Sequence, residues 1–157
     1  MFARIIRTYD DGVALLLRLI LGVVFFPHGA QKVLGWFGGY GFNATLQGMS
    51  KMMPSALVVL VMIAEFFGSL GLILGFLTRI AAFGIACVMV GAILTVHGKF
   101  GFFMNWMGKQ PGEGFEYHLL AIVIAVAVMI KGGGKASVDL ALTRGQTGST
   151  RAAMPRP

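Results

Sequence analysis

Residues 54–79 read PSALVVLVMIAEFFGSLGLILGFLTR, a run in which Glu65 is the lone ionisable side chain before Arg79. A helix needs about 20 mostly apolar residues to cross about 30 Å of hydrocarbon, and this run supplies them. Three glycines, Gly68, Gly71 and Gly75, mark it as a helix meant to pack closely against others. Leu77-Thr78-Arg79 then makes a tight turn into a second apolar run, so the pair reads as a helical hairpin.

Working outward, four such stretches emerge, at about residues 12–31, 54–76, 79–97 and 115–131. The fourth is the shortest and needs snorkelling ends or local bilayer thinning. Of the 157 residues, 57% are hydrophobic and 12% charged, whereas a soluble domain carries about 25% charge. The expected fold is therefore all-α: one integral membrane domain over residues 1–140, an antiparallel four-helix bundle, followed by a disordered tail at 141–157. Asp10, Asp11 and the embedded Arg18 break the pattern of a cleaved secretory signal, so the first helix is expected to be retained.

The net charge of +7 invites a nucleic-acid reading, which the distribution of charge rejects. Eight Lys and Arg residues, from Arg4 and Arg7 through Arg79 to Arg156, fall on one side of the expected spans. Four fall on the other: Lys32, Lys51, Lys99 and Lys109. By the positive-inside rule both termini are cytoplasmic, and the outer end carries two loops rich in aromatic residues. Phe42, Leu46, Met49 and Met53 suggest an interfacial helix in the first of these loops. The loops read either as a lid over the bundle or as belt anchors.

Seven ionisable residues lie within or beside the apolar runs: Arg18, His28, Lys32, Glu65, His97, Glu116 and His118. A charge at the bilayer centre costs at least about 2.5 kcal/mol, so retained charges there have partners or work to do. Depth estimates place Arg18 close enough below Glu65 for the two to pair, either as a structural lock or as part of a ligand or proton site. His28, Lys32, His97, Glu116 and His118 fall in the outer third, a set suited to proton transfer, to a quinone carbonyl or to a metal. No two histidines are closely spaced on one helix, so no metal site is expected. The lone Cys87 rules out an internal disulfide or dithiol chemistry and reads as a small core residue.

The pattern Arg18-x3-Gly22, His28-Gly29-x2-Lys32, Glu65-x2-Gly68 and Gly75-x2-Thr78-Arg79, closed by Gly134-Lys135-Ala136-Ser137-Val138-Asp139, resembles the DoxX family of small four-helix membrane proteins. The resemblance covers about residues 10–140. It implies a bacterial inner-membrane protein associated with an oxidoreductase system, with no covalent cofactor. On that pattern it binds a quinone or similar lipid-soluble redox molecule, works with a partner oxidoreductase, and carries Arg18, His28, Lys32 and Glu65 as site residues. Membrane lipid is the expected surroundings, and a homo-oligomer stays open. A non-catalytic scaffold is the alternative reading. A small proton-coupled transporter is a third, weakened because Pro27 and Pro54 interrupt only helix ends.

Overall fold

The computed structural model describes residues 2–144, and every regular element among them is helical. In chain order these are α1 (Phe2–Ile6), α2 (Gly12–Val33), α3 (Gly41–Met49), α4 (Ser55–Leu74), α5 (Thr78–Ala92) and α6 (Glu116–Lys131). A final turn, α7, covers residues 138–144, so the stretch expected to be a tail from 141 begins inside a helix; 145–157 lie outside the described residues.

By length and composition, three helices among the described residues can cross a membrane: Gly12–Val33, Ser55–Leu74 and Thr78–Phe100. In the third, α5 runs on through a π-helical turn (Ile93–His97) and a 3-10 turn (Gly98–Phe100). α6 has 16 residues, about 24 Å at 1.5 Å per residue, shorter than the hydrocarbon layer. The four long helices close a ring, α2 on α4, α4 on α5, α5 on α6 and α6 on α2. Leu21, Phe25, Leu72, Ile85, Met89 and Val128 fill its centre. Outward, Leu16, Ile20, Leu60, Ile63, Phe83 and Val123 are exposed, an apolar exterior suited to lipid. Cys87 belongs to that exterior rather than the core.

α2 and α4 meet through glycine. A side chain at Gly22 would run into Ile73 and the Ser69 carbonyl, and one at Gly29 would overlap the backbone of Glu65 and Phe66. The seven-residue spacing keeps both glycines on one face of α2, so the two backbones touch along their length. That register puts Glu65 level with Gly29, one turn from the C-terminal end of α2, with outer naming only that end of the bundle and inner the end that holds Asp11 and Asp139.

The inner end is closed by polar groups bonded to helix termini. Asp11 caps α2, its Oδ1 accepting from Val13 N (2.8 Å) and Ala14 N (3.2 Å). α4 ends on Gly75 at φ +69°, with Phe76 N donating to Gly71 O (2.8 Å), a Schellman closure. No side chain of its own segment caps α5. Instead the Asp139 carboxylate, 1% exposed, accepts from Leu77 N and Thr78 N at 2.9 Å each. Arg79 ties the end of α6 to the segment just after α1 through Met129 O (2.7 Å), Ile130 O (3.0 Å) and Arg7 O (2.7 Å).

Candidate functional site

Arg18 does not pair with Glu65. Its guanidinium, 1% exposed, turns toward the inner end and donates to five carbonyls: Gly133 (2.8 Å), Leu72 (2.8 Å), Ile73 (2.6 Å), Lys135 (3.2 Å) and Ala136 (2.8 Å). All five N–H donors of the group are thereby used. The physical reason lies at the end of α4, where carbonyls have run out of helical donors and a buried cation with a rigid fork satisfies them. Leu72 stands seven residues below Glu65, about 10 Å along the axis. Arg18 therefore serves the inner end, well away from the carboxylate.

Lys32 takes the place expected of Arg18. It lies in the last turn of α2 and folds back so that Nζ stands 2.5 Å from Glu65 Oε2. The approach is off the angles of a hydrogen bond, and Oε2 has no hydrogen-bond partner. Glu65 itself is 5% exposed, in the middle of α4 beside buried Met62. The Lys32 ammonium also reaches the His28 carbonyl at 3.5 Å, the i, i+4 relation expected from the sequence. The His28 ring, in contrast, is exposed at the outer rim, its centroid 6.1 Å from that of Phe25.

α6 brings a second group to the same half. His118 is 5% exposed, and its Nδ1 has no partner. The buried Tyr117 hydroxyl also has none. The Tyr117 ring stacks on Phe25 (centroids 6.4 Å) and lies edge-on to His118 (5.6 Å), with its phenol within electrostatic reach of Glu65. His97, at the end of the π-helical turn, packs its ring against His118 with centroids 4.1 Å apart. Its Nδ1 sits 2.8 Å from the Glu113 carbonyl; that oxygen can only accept, so Nδ1 carries the hydrogen.

Glu116 stands apart from this group. Its Oε1 accepts from Met104 N (3.1 Å) and the Trp106 indole (3.2 Å), which shapes the outer loop rather than facing the core. That loop presents Phe103, Trp106 and Met107 to the surroundings, Trp106 at 85% exposed. The structure thus joins Lys32 with Glu65 and His97 with His118, leaves His28 at the rim, and assigns Arg18 to backbone carbonyls and Glu116 to a loop amide and an indole. Tyr117 is the site residue that the sequence reading missed; its signal was a phenol beside His118 at the mouth of an apolar run. A recess of about 530 Å³ lies at the inner end, between Tyr9–Gly12, Arg79 and Ile130–Lys131, opposite the histidines. Among the described residues no group of three His, Cys, Asp or Glu is placed to hold a metal.

Long apolar helices with an apolar exterior and a polar cluster buried between them define a multi-pass membrane protein. The chain belongs to the DoxX family, whose model matches residues 13–98. It is also similar to the "Putative oxidoreductase CatD" of Bacillus subtilis (strain 168), 32% identical over 122 residues, which cover 78% of this chain and 81% of that protein. No solved structure matches it.

Proposed function

We propose that the chain is a four-helix membrane bundle with both termini cytoplasmic, set in a bacterial inner membrane. In its outer half it binds a quinone or another lipid-soluble redox molecule, and it works with a partner oxidoreductase. One observation carries this reading: Tyr117 OH and His118 Nδ1 are buried without hydrogen-bond partners in the half of the bundle that holds the Lys32–Glu65 ion pair. Buried polar groups are ordinarily satisfied, and each one left bare costs about 1–3 kcal/mol. The Tyr117 hydroxyl and the Lys32 ammonium are donors, and a neutral His118 offers one donor and one acceptor, a set suited to carbonyl or hydroxyl oxygens. Phe25, Met62 and Phe66 supply apolar walls, the usual form of a site for a lipid-soluble ligand. The relative's printed name points to the same class of chemistry.

The test is mass spectrometry of small molecules co-purifying with the protein in mild detergent. The wild type should retain a quinone-class molecule above the background of the same membranes, and Tyr117→Phe with His118→Leu should lose it. Retention of none by the wild type removes this reading. Topology is checked by labelling Tyr40→Cys and Lys135→Cys in a Cys87→Ser background, with position 40 expected to react from outside.

A scaffold is the second reading, favoured by the Lys32–Glu65 contact, in which a half-buried ammonium neutralises a buried carboxylate without a ligand.

A further inference from the structure

We infer that His118 and His97 form a two-ring proton route joining the buried cluster to the outer surface. The inference rests on the proposed ligand site, because a quinone taking up two electrons also takes up two protons, and the reverse reaction releases them. The electrons belong to the partner oxidoreductase; only the protons concern these two rings.

Three observations set the route. His118 is 5% exposed, so its ring meets the surroundings mostly past its neighbours. Its ring touches Tyr117 on one side (5.6 Å) and His97 on the other (4.1 Å), the first leading toward Glu65 and the second toward the half-buried end of the π-helical turn. Finally, the Glu113 carbonyl fixes the tautomer of neutral His97, with the hydrogen on Nδ1 and the lone pair on Nε2. An inbound proton binds at His97 Nε2 from the outer face; the ring then swings about its Cβ–Cγ bond, leaving the Glu113 carbonyl, and hands that proton to a ring nitrogen of His118. The other nitrogen of His118 releases its own hydrogen to the cluster, and His97 swings back. Outbound protons run in reverse.

π-turns gather at functional sites, and here one presents His97 to its neighbour. The other ionisable groups of this half are Lys32 and His28 on α2, Tyr40 and Lys51 flanking α3, Glu65 on α4, Lys99 just past His97, Lys109 and Glu113 in the loop, and Glu116 and Tyr117 at the start of α6. Lys32 and Glu65 are tied to each other, Glu116 is bonded to Met104 N and Trp106, and the Glu113 carboxylate to Asn105 N.

The experiment is nitrogen-15 histidine NMR of the full chain in nanodiscs, reading the exchange of the His118 ring hydrogen with water. His97→Gln should slow that exchange roughly a hundredfold, the scale of one placed proton-transfer group. His28→Gln, at the rim, should leave it unchanged. His97→Asn gives the same reading if His97→Gln does not fold. Unchanged exchange in a folded His97 variant overturns the route. Binding of decylubiquinone to the same samples separates the two ideas: a wild type that binds it with His97-independent exchange loses only the route, and one that does not bind it loses the ligand reading.

Discussion

The Lys32 ammonium and the Glu65 carboxylate stand 2.5 Å apart across the α2–α4 contact, one from the last turn of its helix and the other from the middle of its own. Removing Lys32 strands a buried carboxylate, whereas removing Glu65 leaves an ammonium that is 23% exposed and can turn to its surroundings. Lys32→Ala is therefore expected to cost about 3 kcal/mol, Glu65→Ala less, and the double variant less than their sum. Unfolding in mild detergent across this double-mutant cycle checks it, and simple additivity would show that the two charges are energetically independent.

Arg18→Lys should be severe although charge is kept. An ammonium has three donors for the five carbonyls now served, so at least two buried oxygens lose their partner. A loss of about 3 kcal/mol is expected from those bonds. Combined with Glu65→Ala the effects should add, since the two groups share no partner. Thermal unfolding of the single and double variants measures both points.

Gly29→Ala tests the helix contact that holds the ion pair. The new methyl would sit 2.5 Å from Phe66 Cα, so α2 and α4 must separate, at about 1–3 kcal/mol. Gly48→Ala on α3 meets nothing within 4 Å and should be neutral or slightly stabilising. Thermal midpoints of the two variants, side by side, make the comparison.

Acid sensitivity is expected at the inner end. The hydrogen bond from Lys131 to Asp11, with the amides of Ala14 and Val13, holds the Asp11 carboxyl below its ordinary range. A folded value below the unfolded one, about 4, means that this stabilisation is complete above pH 4 and fades as pH falls through the folded value. Asp11→Asn should therefore flatten the dependence of the melting temperature on pH below about 4 while leaving its slope near neutrality unchanged. A wild-type slope persisting in Asp11→Asn would show that another group is responsible.

The helices were legible because hydrocarbon demands continuous apolar runs, and the i, i+4 step from His28 to Lys32 was legible as helical spacing. The destination of Arg18 was not. A long side chain part-way along a helix reaches up or down equally well, and backbone carbonyls leave no mark in a sequence, so the visible carboxylate looked like the natural partner. Glu116 misled in the same way, since its partners are a loop amide and an indole at positions set by tertiary structure. Lys32 was legible as a site residue of the outer third but not as the ion-pair partner of Glu65, because nothing in its neighbourhood reveals that Gly29 draws α4 close enough for the ammonium to fold back. The touching rings of His97 and His118 depend on a π-turn, which shifts residues off the 3.6-residue period on which such readings depend.

Asp139 caps the start of α5 and its own amide donates to Gly75 O (2.9 Å), while Arg18 needs the carbonyls of Gly133, Lys135 and Ala136. On the ribosome, then, the first two-thirds of the chain enters the membrane with the α4–α5 hairpin uncapped and Arg18 holding only Leu72 and Ile73. The bundle can be locked only once residue 139 has left the exit tunnel. A chain cut short of Gly133 should therefore lack the bonds that close this end of the bundle.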